Sequence, residues 1–299
     1  MATRPRRIVP GKTYLVTRRC LERRFFLRPD RKSEGNFPYV LAHYAQRHGI
    51  QIHAYCVLSN HLHLVLTDTR GRLPAFQQDL GSVLAKSTNA CLGRWDTFWE
   101  AGSYSAVALE NDAAVEEKLI YLLANPVAAG LVRHATEWPG HWSDPRRIGA
   151  GPVTIERPKE FFNRKGEMPP TAQLELTPPP GFEKDPTFIG RLLDSLRRAE
   201  DSAAASLGRQ GRSFMGVAKV LAQSFFAKPA PGEPRRQLNP RVACRSEWKR
   251  VEALQQLKEF ARAYGEALDA WRRGKRDALF PRGTWLMRVL HGAPCADPC

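Results

Sequence analysis

The stretch from Tyr55 to Asp68 reads YCVLSNHLHLVLTD, and from His61 onward its side chains alternate between two kinds. His61, His63 and Val65 fall on one face of an extended segment, and Leu62, Leu64 and Leu66 fall on the other. A three-leucine face belongs against a core. The opposite face then holds two imidazoles one strand repeat apart, roughly 6–7 Å between Cα atoms. That spacing lets both rings converge on one divalent cation. Two half-exposed strand histidines without a ligand give the same pattern, so the pair needs further support from the chain.

Charge narrows the field. Lys and Arg total 46 against 30 Asp and Glu, a net charge of +16 over 299 residues. The excess is spread over both halves, which points to a polyanionic partner and first to nucleic acid. No run approaches ~18 consecutive apolar residues, so no membrane span is expected. The basic N-terminus MATRPRRIVPG has no apolar region of the secretory kind, and a cytoplasmic protein is expected. Cys20, Cys56, Cys91, Cys244, Cys295 and Cys299 contain no CxxC pair. They read as free thiols in a reducing compartment rather than a zinc ribbon or a disulfide scaffold.

Taken in order, Thr13–Arg19 has strand composition. Phe37–His48 carries apolar residues at helical spacing and is stopped by Gly49. Ile50–Leu58 is a strand, Ser59 and Asn60 form a turn, and the histidine strand follows. Leu73–Leu92 reads as a second helix, and Ser105–Glu110 as a fourth strand. Asn111 or Asp112 caps a third helix, from about Ala113 to Ala124. Pro126 disfavours α geometry at Asn125 and ends or kinks that helix, and Gly130 closes the turn after it. The order β-α-β-β-α-β-α is that of a ferredoxin-like α+β fold: an antiparallel sheet with helices on one face. Residues 146–186 are rich in Pro and Gly and read as a linker. Residues 187–299 read as a basic helical accessory domain, with helices over Phe188–Leu207, Ser213–Phe226 and Trp248–Arg273. A basic, Pro-rich loop spans Lys228–Arg241.

The third helix adds chemistry to the histidine pair. Tyr121 and Asn125 are four residues apart and stack on one helical face. If that helix packs beside the histidine strand, it presents a phenol and an amide oxygen to the same ion. Asn125 equally suits the cap of the turn that begins at Pro126.

NHLHLVL and YLLANPVAAGLV, in this order and separation, resemble the Y1 tyrosine transposases of the IS200 type within the HUH superfamily. The nearer likeness is to the REP-associated tyrosine transposases, over about residues 10–145. The resemblance implies a ferredoxin-like domain over 1–145, with His61 and His63 as metal ligands, Tyr121 as nucleophile and Asn125 as third ligand. It implies Mg²⁺ or Mn²⁺ as cofactor. The implied activity is nicking and rejoining of single-stranded DNA through a 5′-phosphotyrosine, on palindromic elements folded as hairpins. The chain would act as a monomer or homodimer, with no membrane partner.

For DNA contacts the candidates are Arg18, Arg19, Lys86 and Arg94 on phosphates. Trp95 and Trp99 are the candidates for stacking on unpaired bases. Core packing explains the tryptophans equally well, and solvated surface explains the basic residues. The basic C-terminal helix either grips a DNA stem or covers the sheet. Two other functions stay open: a nucleic-acid-binding regulator that keeps the fold without cleavage, and a metal-dependent hydrolase unrelated to nucleic acid.

Overall fold

The computed structural model describes residues 5–101, 104–163, 165–229 and 240–296. Most of the Lys228–Arg241 loop and Cys299 lie outside the described residues. Strand β1 spans Lys12–Arg19, β2 Ile50–Leu58, β3 His61–Asp68 and β4 Ser105–Leu109. Helix α1 spans Asn36–His48, α2 Leu73–Cys91 and α3 Asp112–Leu123. A short α4 covers Asn125–Ala128. β1 pairs antiparallel with both β3 and β4, and β2 pairs antiparallel with β3. The order β2-β3-β1-β4 follows, which is two interleaved βαβ units of the ferredoxin-like kind.

The local reasons are those the sequence carries. Gly49 adopts φ 67°, the left-handed conformation that ends α1. The Asn111 side chain accepts from the Ala114 amide at 2.9 Å and starts α3. Asp68 closes β3 by accepting from the amides of Arg72 and Leu73 at 2.9 and 2.7 Å, which sets the entry to α2.

The sheet has two different faces. Arg18, across the ladder from Leu62, donates to the Gln77 carbonyl of α2 at 3.0 Å. Phe37 of α1 meets Tyr55, across from Leu64, with ring centroids 5.4 Å apart. The two crossover helices therefore lie together over the leucine face. The third helix lies over the other face, where Tyr121 meets His63. Leu119, Leu122 and Leu123 are fully buried and anchor α3 there, at roughly 1.5–3 kcal/mol each. The histidine face is consequently closed as well: Val65 and Thr67 are as buried as the leucines.

A bulge interrupts the β2–β3 ladder between Ile52 and Ala54 and turns His53 inward. His53 Nδ1 lies 2.8 Å from the Thr177 carbonyl, and Nε2 lies 2.8 Å from Thr67 Oγ1. Because a carbonyl only accepts, Nδ1 carries the proton, and Nε2 accepts from the Thr67 hydroxyl. The extra histidine near the motif is thus a satisfied core group rather than a ligand.

Residues 146–186, expected to be a linker, are packed into the main core. Ile148, Phe162, Ala172, Leu174, Leu176 and Phe182 are all buried there. Strands β5 (Val153–Glu156) and β6 (Thr171–Leu174) pair antiparallel. The Tyr39 hydroxyl of α1 donates to the Pro169 carbonyl at 2.5 Å. The amides of Ser143 and Thr177 donate to β2 carbonyls, and the Val57 amide of β2 donates to the His141 carbonyl. These bonds cover an otherwise open sheet edge. Pro and Gly here shape a strap instead of a spacer. Helix α5 (Phe188–Arg209) joins the same core through Phe188, Leu192 and Leu196.

The expected Ser213–Phe226 helix is only six residues long, α6 (Val217–Ala222). Strand β7 (Val242–Ala243) pairs parallel with β4 and makes the sheet mixed. Helix α7 (Glu247–Arg272) matches its expected span, and α8 (Leu286–His291) follows. Ala267, Phe280, Met287 and Ala293 form a small second core at this end. Among the described residues all five cysteines are free thiols. No helix among them is long and apolar enough to cross a membrane.

Candidate metal and nucleophile site

The β1–β3 register places Arg19 opposite His61 and Thr17 opposite His63. Opposed residues of an antiparallel ladder share a face, so these four side chains lie together at one end of the sheet. The His61 and His63 ring centroids are 4.7 Å apart with planes perpendicular. The Tyr121 ring lies 5.6 Å from His63, edge to face. Residues 58 positions apart in the chain thus meet because α3 crosses the histidine face.

Each imidazole is held through Nδ1. Asn60 Oδ1 lies 2.6 Å from His61 Nδ1, and Thr17 Oγ1 lies 2.8 Å from His63 Nδ1. His63 is 4 % exposed, and its Nε2 is buried without a hydrogen-bond partner. Such an orphan is costly unless something else takes it. Burial, joined by repulsion from Arg19 and Arg23, lowers the His61 pKa to about 4. Burial, the neighbouring His61 and Arg19 lower His63 well below the ordinary value. Both rings are therefore neutral at pH 7, the form that ligates metals.

Asn125 is buried at the start of α4, one turn beyond Tyr121. Among the described residues, no side-chain hydrogen bond joins it to either histidine. The helix breaks at Ala124, because Pro126 has no amide hydrogen to continue the ladder, and Asn125, expected to avoid α geometry, instead opens α4. No group of three or more His, Cys, Asp or Glu able to hold a metal occurs among the described residues. The donors on offer are two neutral imidazoles, one with an orphan nitrogen, and a buried amide. Three donors of this kind could hold a divalent ion such as Mn²⁺ or Mg²⁺ and are one short of a closed four-ligand zinc site.

The surroundings of the site are basic. Arg19 and Arg23 are exposed beside His61. Lys118, one turn before Tyr121, has its Nζ 5.9 Å from the phenol ring centroid and 2.7 Å from Glu117. Glu22 and Arg23 both adopt left-handed conformations, with φ 52° and 61°. For non-glycine residues this costs of order 1–3 kcal/mol each. The turn is retained by contacts at the site: Asn60 Nδ2 donates to the Arg23 carbonyl at 3.2 Å.

The other sequence candidates divide. Trp95 is 86 % exposed, in a loop whose Glu100 amide donates to the Arg19 carbonyl. Arg18 and Trp99 are corrected to structural roles. The Arg18 guanidinium stacks 4.7 Å from the centroid of a Trp99 ring and bonds to α2, while Trp99 Nε1 donates to the Gly81 carbonyl at 2.7 Å. The missing Gly81 side chain makes room for this: a Cβ there would meet Arg18 Nη1 at 1.8 Å. The Arg94 guanidinium lies over the Phe26 ring, 3.7 Å from its centroid, and its Nη2 donates to the Thr97 carbonyl at 3.4 Å. Lys86 is exposed on α2, on the far side of the sheet from the histidines. Arg18→Ala should therefore lower the unfolding free energy by about 1–3 kcal/mol and leave the salt dependence of DNA binding unchanged. A reduced salt slope at unchanged stability would restore Arg18 as a phosphate contact.

Sequence reasoning missed Asn60, Thr17, Arg23 and Lys118 at this site. Asn60 had one visible signal, its place directly before His61. Thr17 had none until the strand register was known.

No protein-family model and no curated protein matches the chain. Among solved structures the chain is similar to a REP-associated tyrosine transposase bound to a REP hairpin. That likeness has 16 % identity and a TM-score of 0.39, over 58 % of this chain and 99 % of the other. The chain is also similar to a putative transposase from Deinococcus radiodurans, at 17 % identity and TM-score 0.30, over 39 % and 93 % of the two chains. Likenesses this distant do not bear on activity, and the fold stands on its own strand order.

Proposed function

We propose that the chain nicks and rejoins single-stranded DNA, with Tyr121 as nucleophile. The observation that carries this reading is the meeting of the His61, His63 and Tyr121 rings on one sheet face. Tyr121 is 49 % exposed, so a strand can reach its hydroxyl. The phenolic oxygen attacks a backbone phosphorus, the bond to the 3′ oxygen breaks, and a 5′-phosphotyrosine and a free 3′-hydroxyl result. A later 3′-hydroxyl reverses the step, so no nucleotide cofactor is needed. A divalent ion held by His61 and His63, with Asn125 as the third ligand, supplies Lewis-acid polarisation of the phosphate.

The remaining roles belong to the chain itself. Arg19, Arg23 and Lys118 neutralise phosphates around the scissile bond. Trp95 stacks on an unpaired base of the flanking strand. The palindromic, hairpin-forming substrate follows from the family resemblance of residues 10–145.

The test is a 3′-labelled hairpin with single-stranded flanks, incubated with the protein and Mn²⁺, since the 3′ portion of the strand is the part that stays on the tyrosine. A covalent protein–DNA species is expected, with mass spectrometry placing the phosphate on Tyr121. DNA binding without any adduct under Mn²⁺ or Mg²⁺ would instead make the chain a binding protein on the same fold. Arg19→Ala and Arg23→Ala are each expected to reduce the slope of log affinity against log salt by about 1. Unchanged slopes would place the phosphate path elsewhere.

A further inference from the structure

We propose that Asn60 is a positioning residue that locks His61 into its Nδ1-protonated tautomer and so aims the bare Nε2 at the metal position. The argument is one of donors and acceptors. Asn60 Nδ2 lies 3.2 Å from the Arg23 carbonyl. A carbonyl oxygen only accepts, so the amide NH₂ must face it, and turning the amide over would set two oxygens against each other. The amide oxygen therefore faces His61 Nδ1, at 2.6 Å. An amide oxygen also only accepts, so His61 Nδ1 must carry the proton. In a neutral ring this leaves the lone pair on Nε2.

The carbonyl that begins this chain belongs to a residue in the left-handed conformation. Its amide is tied to the Cys20 carbonyl at 3.0 Å, and the Cys20 amide is tied to the Asn60 carbonyl at 2.8 Å. The strained turn, the Asn60 amide and the ligand tautomer form one connected unit. The turn also carries the exposed Arg23 side chain. A phosphate grasped by Arg23 therefore bears on the same backbone that orients His61. His63 has no such lock, because its partner Thr17 is a hydroxyl that either donates or accepts. Holding the ring nitrogen away from the ion is how outer partners tune metal ligands.

The tautomer itself is independent of metal, whereas the consequence for affinity rests on the metal reading above. The experiment is long-range ¹H–¹⁵N NMR of the full chain with labelled histidine and no metal, the His61 signals being assigned by their loss in His61→Gln. A protonated Nδ1 and a bare Nε2 are expected in the unsubstituted protein. Asn60→Ala should shift His61 toward the Nε2-protonated form and weaken Mn²⁺ binding, titrated directly, by about 10–100-fold. Asn60→Asp keeps an acceptor at Nδ1 and should keep the tautomer. A bare Nδ1 in the unsubstituted protein overturns the proposal, as does an Asn60→Ala protein with unchanged tautomer. If the unsubstituted protein binds no Mn²⁺, the metal reading falls, and the tautomer comparison still decides the role of Asn60.

Discussion

Tyr121→Phe is expected to lower covalent adduct formation by roughly 10⁴-fold or more, the scale seen when a nucleophile is removed. The same substitution should leave the fold and DNA affinity close to unchanged. The reason is local. Tyr121 is half exposed, and its hydroxyl makes no hydrogen bond among the described residues. The ring contact with His63 at 5.6 Å survives in phenylalanine. Stability should therefore stay within about 0.5 kcal/mol. Adduct yield on labelled hairpin DNA, read beside a thermal melt and a binding isotherm, separates the three quantities. An adduct of undiminished yield would mean that another side chain attacks, and the assignment of Tyr121 would be lost. Loss of binding together with the adduct would mean that the phenol serves recognition rather than chemistry.

The second large effect is acid unfolding well above the range set by carboxylates. His53 is fully buried, with burial lowering its pKa to about 4, and it is ringed by Thr67 and Thr177 in one protonation state. His63 is lowered further by burial and by His61. The folded-state values lie below the unfolded value of about 6.5, so the unfolded chain binds the extra protons. Stability is then full above pH ~6.5 and falls as the pH drops toward 4. His53 alone removes about 3 kcal/mol across that window, and His63 acts in the same direction. His61 and His141, also lowered to about 4, keep part of their surface in solvent, so their share is smaller. Against an ordinary stability of about 5–15 kcal/mol, this suffices to unfold the chain or bring it close. Urea titrations at pH 7.5, 6, 5 and 4.5 should show the midpoint falling steadily, with the slope reduced in His53→Gln. A flat midpoint down to pH 4.5 would mean that the buried histidines already protonate without penalty.

Much of the architecture was legible because it is local. Alternation from His61 to Leu66, Gly49 after α1, Asn111 before α3 and Pro126 after Tyr121 each act on neighbouring backbone. Their elements appear within a residue or two of the expected bounds. The strap over residues 146–186 was not legible. Its residues have turn composition, and the edge of β2 and the α1 helix that hold them lie some hundred residues earlier in the chain. Arg18 and Trp99 misled for a related reason. A basic or aromatic residue near a motif has the same letter whether it faces DNA or a gap above Gly81.

The chain's own letters determined the strand that bears His61 and His63, the helix that bears Tyr121, and the charge that favours a polyanion. Tertiary structure decided the rest: which sheet face α3 crosses, which arginines stay free in solvent, and which atoms hold the two imidazoles. Those are contacts between segments far apart in the chain. Their energy depends on register and packing, quantities that no short window of sequence contains.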